Sequence, residues 1–125
     1  MRDGPARDHH ALALIADDDA TMRLLLQQSL EQRDFRVIVA ENGAQAIEAF
    51  ITLNPDIVLL DVEMPDMDGF SVCRKLRSLP NGVYTPVVMV TGRDDIDIDK
   101  IVEKIPRHLH AHLSEARLGG HVGVV

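Results

Sequence analysis

Three short apolar runs in this chain each end on an oxygen-bearing side chain. The runs and their terminal residues are 11–16 with Asp17, 57–60 with Asp61, and 87–90 with Thr91. Apolar runs of this length, without alternation, are typical of strands buried on both faces of a parallel sheet. The carboxyl ends of parallel strands lie along one edge, so we expect these side chains and the adjacent Asp18 to share one crevice.

Amphipathic helices are predicted between the runs from the 3.6-residue spacing of apolar residues. Asp19 is expected to cap the first helix and Asn42 the second. A third helix is predicted over about residues 69–79, and a fourth after Asp94 or Asp95. The residues expected to face the core are Met22, Leu25, Leu26, Ser29 and Leu30, then Ile47, Phe50 and Ile51, then Val72, Cys73, Leu76 and Leu79, then Ile98, Ile101, Val102 and Ile105.

A further strand at residues 35–40 completes a (βα)₄ pattern, which is typical of an α/β fold with a doubly wound parallel sheet. The 125 residues, 46% of them hydrophobic, are enough for one globular domain with a core. We divide the chain into a flexible N-terminal segment (1–10), a domain (11–105) and an atypical C-terminal segment (106–125). Gly69, at the start of the third helix, is expected to supply a positive φ or close packing.

Composition excludes several classes of function. The net charge of −7 argues against a nucleic-acid surface, which requires a basic patch. No apolar stretch approaches the roughly 18 residues that span a bilayer, and the first residues have no apolar core of a signal peptide. Cys73 is the single cysteine, which excludes an intramolecular disulfide and favours a reducing compartment. We therefore expect a cytoplasmic protein.

Carboxylates beside a hydroxyl, in a chain without a cysteine cluster, favour a hard divalent cation and a phosphoryl group. Two unit charges about 4 Å apart repel by roughly 4 kcal/mol at an effective dielectric of about 20. A cation between the carboxylates and the phosphoryl oxygens removes that repulsion. Mg²⁺ suits this role because it commonly binds one or two carboxylates together with phosphate oxygens.

Residues 11–95 closely resemble the receiver domain of two-component response regulators. The resemblance depends on three segments, 14–23 (LIADDDATMR), 55–69 (PDIVLLDVEMPDMDG) and 86–92 (PVVMVTG). It implies a flavodoxin-like sheet with strand order 2-1-3-4 and a doubtful fifth strand. It also implies that a sensor histidine kinase, or a phosphotransfer protein, donates a phosphoryl group to one aspartate. The signal then passes to an output domain or effector, and a homodimer is possible.

The resemblance assigns roles to individual residues. Asp61 resembles the phosphoacceptor, and Asp17 and Asp18 resemble the acidic pair that holds Mg²⁺ together with Asp61. The backbone carbonyl of Glu63 matches a further metal ligand, and Thr91 matches the hydroxyl that hydrogen-bonds the phosphoryl group. Such a domain is a switch and not an enzyme, although it assists its own phosphorylation and dephosphorylation.

The C-terminal end departs from the receiver pattern. The lysine-proline pair, the fifth strand and the fifth helix of the family are not recognisable, and none of the three lysines follows a strand. Strand four is therefore expected to be an exposed edge, and apolar faces of the sheet are expected to lose their partner. The change in composition at Pro106 is typical of an altered reading frame or of a boundary within the domain. Residues 107–117 predict a weak helix, and residues 121–125 a short strand.

Other interpretations of the same residues stay open. Asp17, Asp19 and Thr21 fit the Asp-x-Asp-x-Thr nucleophile motif of haloacid-dehalogenase-type phosphotransferases. A receiver without the lysine could instead be a switching-defective interaction module. The alternate histidines His108, His110 and His112 predict a metal site only weakly, because no cysteine and no cluster of carboxylates accompanies them. Three further acids are interpreted as surface loop residues, namely Glu63, Asp66 and Asp68.

Overall fold

The computed structural model describes residues 10–91 and 97–110, which form a parallel β-sheet flanked by α-helices. The elements are β1 (Leu12–Ala16), α1 (Ala20–Gln32), β2 (Arg36–Ala40), α2 (Gly43–Leu53), β3 (Ile57–Asp61), α3 (Gly69–Arg77), β4 (Val87–Val90) and α4 (Ile98–Glu103). Short 3₁₀ helices cover Pro80–Val83 and Arg107–Leu109. The strand order β2-β1-β3-β4, with every pair parallel, confirms the predicted doubly wound sheet.

The two faces of the sheet carry separate apolar cores, because alternate residues of each strand point to opposite sides. In β1, Ala13 and Ile15 pack in the core beneath α1 and α4, whereas Leu14 and Ala16 pack in the core beneath α2 and α3. The four strand residues are nearly inaccessible to solvent. Burial on both faces explains why β1 is an unbroken apolar run, and it confirms helices on both faces.

Helix α4 lies on the same face as α1. Its residues Ile101 and Val102 are buried in the core that also contains Met22 and Leu26 of α1. This packing corrects part of the expectation that apolar faces lose their partner, because α4 covers the Val90 side of the sheet. Within the described residues β4 pairs with β3 alone, as expected for an edge strand.

Side-chain caps define the beginnings of the helices. The Asp19 carboxylate accepts hydrogen bonds from the amides at the start of α1, and Asn42 does the same for α2. The prediction of Asp94 or Asp95 as the cap of α4 is wrong, because Asp97 precedes Ile98 and caps that helix. Aspartates recur throughout this segment, so the sequence alone did not select one; Asp94 and Asp95 themselves lie outside the described residues.

Two residues that were predicted to face the core are exposed. Leu25 in α1 is 45% exposed and Ile51 in α2 is 61% exposed. The buried stripe of α1 is narrower than predicted, since it uses one residue per turn, and the buried side of α2 is completed by small residues. The buried residues are Met22, Leu26 and Leu30 in α1, and Gly43, Ala46 and Phe50 in α2.

Past α4, the chain packs against the core that lies beneath α1 and α4. Leu109 contacts this core, and the rings of His110 and Phe35 meet edge to face with centroids 5.4 Å apart. The start of the weak helix predicted over 107–117 is a short 3₁₀ helix, Arg107–Leu109. Most of the N-terminal segment 1–10, which was predicted to be flexible, lies outside the described residues, as do the rest of the helix predicted at 107–117 and the strand predicted at 121–125. No helix in the described ranges is long and apolar enough to cross a membrane.

Candidate functional site

Three carboxylates meet at the carboxyl edge of the sheet. Asp17, Asp18 and Asp61 each offer an oxygen atom, and these atoms all lie within 4.8 Å of one another. The reason is the register of neighbouring strands, since Ala16 of β1 pairs with Leu60 of β3. The next residue on each strand is an aspartate, so two adjacent strand ends place their acids side by side. The structure therefore brings together the three acidic side chains that the sequence predicted.

Asp17 is held in place by backbone and side-chain contacts. It is 1% exposed, and its amide donates to the Ala40 carbonyl at 3.1 Å, which continues the pairing of β1 with β2. Its carboxylate accepts the Asp19 amide at 2.9 Å. The Arg23 guanidinium donates to the Asp17 carbonyl at 2.7 Å and forms a 3.8 Å ion pair with Glu41. The sequence analysis assigned no role to Arg23, although this arginine lies in α1, shortly after the acidic run.

Asp61 is the last residue of β3 and is 3% exposed. Its carboxylate accepts the Glu63 amide at 3.2 Å. Gly69 packs against its backbone, because a Cβ at Gly69 would lie only 2.3 Å from the Asp61 carbonyl oxygen. The φ of Gly69 is outside the left-handed region, so of the two predicted reasons for this glycine, close packing applies. The start of α3 is therefore joined directly to the strand end that carries Asp61.

Thr91 and Glu63 lie at the same edge of the sheet. Thr91 directly follows Val90, the residue of β4 that pairs with Asp61, and it is exposed. The Val62 amide donates to the Val90 carbonyl at 3.3 Å, so β3 and β4 stay adjacent beyond Asp61. These placements agree with the positions that the resemblance assigned. The phosphoryl contact of Thr91 and the metal contact of the Glu63 carbonyl stay predictions.

Asp66 and Asp68 are exposed loop acids, as predicted, but both also organise the loop after β3. Asp66 accepts the Gly43 amide at 2.8 Å and the Ala44 amide at 2.9 Å, which ties this loop to the beginning of α2. These donors, Gly43 first, lower the pKa of Asp66. Asp68 caps α3 through the Ser71 amide, which lowers the pKa of Asp68 as well.

The donor set at the strand ends suits Mg²⁺ better than a softer metal. All three side chains offer carboxylate oxygens, the ligands that Mg²⁺ prefers, and two of them are buried. The predicted histidine site has no such support in the described residues, because His108 and His110 join no cluster of potential metal ligands there. His112 lies outside the described residues.

The sequence matches the family of response regulator receiver domains over residues 13–113, so the chain belongs to this family. Response regulators act in two-component signalling with histidine kinases and output domains. The match continues past residues 11–95, on which the resemblance depended. The family membership confirms the class of protein that the three sequence segments predicted.

Individual relatives are also response regulators. Response regulator protein GraR of Staphylococcus epidermidis is 42% identical over 82 residues, which cover 66% of this chain and 35% of the relative. The transcriptional regulatory protein PhoP of alkaline phosphatase synthesis in Bacillus subtilis is 36% identical over 89 residues, covering 71% and 36%. The chain thus spans about 35% of the length of these relatives.

Solved receiver structures share the fold. A putative response regulator from Chloroflexus aurantiacus superimposes with a TM-score of 0.72 at 24% identity, covering 79% of this chain and 97% of that one. The chemotaxis response regulator CheY4 of Vibrio cholerae gives 0.71 at 21% identity, covering 79% and 98%. These similarities support the strand order and the helices on both faces.

Proposed function

We propose that this domain accepts a phosphoryl group on Asp61, with Mg²⁺ held by the side chains of Asp17, Asp18 and Asp61 and by the backbone carbonyl of Glu63. The donor would be the phosphohistidine of a sensor histidine kinase or of a phosphotransfer protein. The observation that carries the proposal is the convergence of three carboxylates within 4.8 Å at the carboxyl edge of a receiver fold.

The chemistry of the transfer follows from this arrangement. An Asp61 oxygen forms a bond to phosphorus while the phosphorus–nitrogen bond of the donor breaks, and the bonding electrons stay on the donor histidine. When bound, Mg²⁺ neutralises charge between the carboxylates and the phosphoryl oxygens. The Thr91 hydroxyl, at the end of the next strand, is proposed to donate a hydrogen bond to a phosphoryl oxygen.

Positive charge at this site does not come from a lysine at a strand end. The three lysines of the chain are Lys75 in α3, Lys100 in α4 and Lys104 directly after α4. The proposal therefore assigns charge neutralisation chiefly to the metal. We propose a switch that relays a signal to an output domain or effector, in the cytoplasm, and that does not turn over a substrate. If the domain is instead a switching-defective interaction module, phosphorylation should leave the hydrogen exchange of the backbone amides around Thr91 unchanged.

Labelling with a small phosphodonor tests the proposal. Incubation with Mg²⁺ and acetyl phosphate should place an acid-labile, hydroxylamine-sensitive phosphate on Asp61, detected by intact mass and peptide mapping. Asp61→Asn should abolish the label. Asp99→Asn is the matched control, because Asp99 is exposed and pairs with Arg33 on the other side of the domain. The assignment is wrong if Asp61→Asn is labelled as well as the parent protein.

No observation favours the haloacid-dehalogenase alternative. That reaction would require Asp17 and Asp19 in one site, but the Asp19 carboxylate accepts the Thr21 amide at 2.9 Å and caps α1. Asp19 is also absent from the carboxylate group formed by Asp17, Asp18 and Asp61. Steady hydrolysis of a phosphate ester, abolished by Asp17→Asn, would restore this alternative.

A further inference from the structure

A shallow, open groove of about 520 Å³ lies along the outward face of α3. Its lining residues are Phe70, Cys73, Arg74, Arg77 and Ser78. They follow the i, i+3, i+4, i+7, i+8 spacing of one helical stripe, so the groove extends for about two turns, or roughly 12 Å. We call it the α3 groove. It lies on the side of α3 opposite the buried residues Val72 and Leu76.

Phe70 gives the α3 groove an exposed apolar anchor. Its side chain is 53% exposed, although the neighbouring Gly69 and Val72 are buried. The partly buried Cys73 lies one turn further along the same stripe. An aromatic ring that stands clear of the core, at the end of a groove, can be desolvated by a partner side chain at a gain proportional to the area covered.

Three cations lie along α3, and Asp68, the cap of this helix, interacts electrostatically with Arg74. Arg74, Lys75 and Arg77 are the charged residues of α3, in a chain whose net charge is −7. Within the described residues, neither Arg74 nor Lys75 forms an ion pair with a carboxylate. These cations also complement the carbonyl end of α3, a role that needs no partner. The exposed ring of Phe70 beside them has no such structural role.

The two arginines of the groove differ in what holds them. Arg77 donates to the Gly82 carbonyl at 2.5 Å and to the Thr85 carbonyl at 2.6 Å, so it fixes the loop before β4 and forms a rigid end of the groove. Among the residues that the structure describes, Arg74 donates to the nearby Ser71 hydroxyl, at 3.0 Å, and to no other acceptor. Arg74 is therefore the cation that can turn toward a carboxylate without loss of a tertiary contact.

We propose that the α3 groove docks an acidic helical segment of a partner protein, which places an apolar side chain on Phe70 and carboxylates near Arg74 and Lys75. Charge complementarity selects this partner, because a short acidic segment meets only the basic patch. A membrane or a nucleic acid would also face the acidic remainder of the domain. A site of about two helical turns is small, so we expect affinity in roughly the micromolar range. The docking does not require phosphorylation of Asp61.

Synthetic peptides test the docking. The probe is a fluorescent, alanine-based helical peptide of about 14 residues, roughly four turns, with a Leu/Phe pair spaced i, i+4 and glutamates on either side of it. A control peptide carries glutamine at each glutamate position. In anisotropy titrations the acidic peptide should bind at least about tenfold more tightly than the glutamine peptide. Its affinity should also fall as salt is raised, because screening weakens exposed charge pairs.

Matched variants locate the binding surface. Phe70→Ala should weaken binding of the acidic peptide by at least about fivefold, and Arg74→Gln by about threefold to tenfold. The controls are Ile51→Ala, which truncates a similarly exposed apolar side chain on α2, and Lys104→Gln, which removes an exposed cation after α4. Neither should change the affinity. Near-identical circular dichroism and thermal midpoints would establish that each variant is folded.

Several outcomes would overturn the proposal. They are no binding of the acidic peptide at about 1 mM protein, equal binding of the glutamine peptide, and unchanged affinity in Phe70→Ala and Arg74→Gln. Binding of anionic phosphatidylglycerol vesicles in place of the peptide would identify a membrane surface instead. Concentration-dependent dimerisation in sedimentation velocity, lost in Phe70→Ala, would identify a second copy of the chain as the occupant.

Discussion

Replacement of Gly69 by alanine should disturb the domain far more than the same replacement at Gly43. Both glycines occupy the first helical position after a capping residue, Gly69 in α3 and Gly43 in α2. Any gain in helix propensity from alanine is therefore similar at the two positions and cancels in the comparison. The remaining difference is what the new methyl group would meet.

The magnitude follows from the distances. A Cβ at Gly69 would lie 2.3 Å from the Asp61 carbonyl oxygen, and ordinary contact begins at 3.4 Å, so the backbone must separate by about 1.1 Å. At Gly43 the nearest atoms are side-chain carbons of Val72 at 3.0 Å and Met67 at 3.2 Å, which can move. Overpacking against a rigid neighbour costs about 1–3 kcal/mol. We expect Gly69→Ala to be less stable than Gly43→Ala by that amount.

Urea unfolding followed by circular dichroism measures the difference in the free energy of unfolding. A Mg²⁺ titration of the folded variants compares their affinities for the metal. A shift of about 1 Å at the Asp61 backbone can reduce activity about a hundredfold, so Gly69→Ala should also lower the rate of labelling by acetyl phosphate. Equal stability of the two alanine variants would refute the close approach of α3 to β3.

Two further predictions concern single carboxylates. Without Mg²⁺, Asp61→Asn should raise the free energy of unfolding, because it removes the charge repulsion between the buried Asp17 and Asp61, which is about 3.5 kcal/mol at a separation of 4.8 Å and an effective dielectric of about 20. A loss of stability in urea unfolding with a chelator present would contradict this. The backbone donors lower the pKa of Asp66 in the folded state below its unfolded value of about 3.9. The stability that the Asp66 carboxylate contributes is therefore present above the unfolded pKa and is lost as pH falls through the lowered, folded-state pKa. The parent should therefore lose more stability than Asp66→Asn between neutral and strongly acidic pH, and parallel acid titrations of the two would contradict the assignment.

Features that depend on neighbouring residues in the sequence were predictable. The apolar runs identified the strands, and the caps Asp19 and Asn42 followed from polar side chains placed just before apolar periodicity. The same reasoning placed Asp17 and Asp61 at one edge of the sheet, because parallel strands that are followed by acids present them at the same edge. That β1 and β3 are neighbours followed from the strand order that the resemblance to receiver domains implied. This part of the site needed no knowledge of side-chain packing.

Features that depend on contacts between distant segments were not predictable from the pattern. Asp66 holds the start of α2 across 23 positions of sequence, and no local signal marks such a partner. The exposure of Leu25 and Ile51 depends on how far each helix is rotated over the sheet, which periodicity leaves open within about one residue. The packing of α4 beside α1 likewise depends on the path of the chain after β4.

Calorimetric titration with Mg²⁺ tests the shared carboxylate site most directly. The account predicts one ion per chain, with binding weakened at least about tenfold, or roughly 1.4 kcal/mol, in both Asp17→Asn and Asp61→Asn. The exposed control Asp99→Asn should bind Mg²⁺ as the parent does. Unchanged Mg²⁺ affinity in the Asp17 and Asp61 variants would contradict the claim that two neighbouring strand ends bind one metal ion.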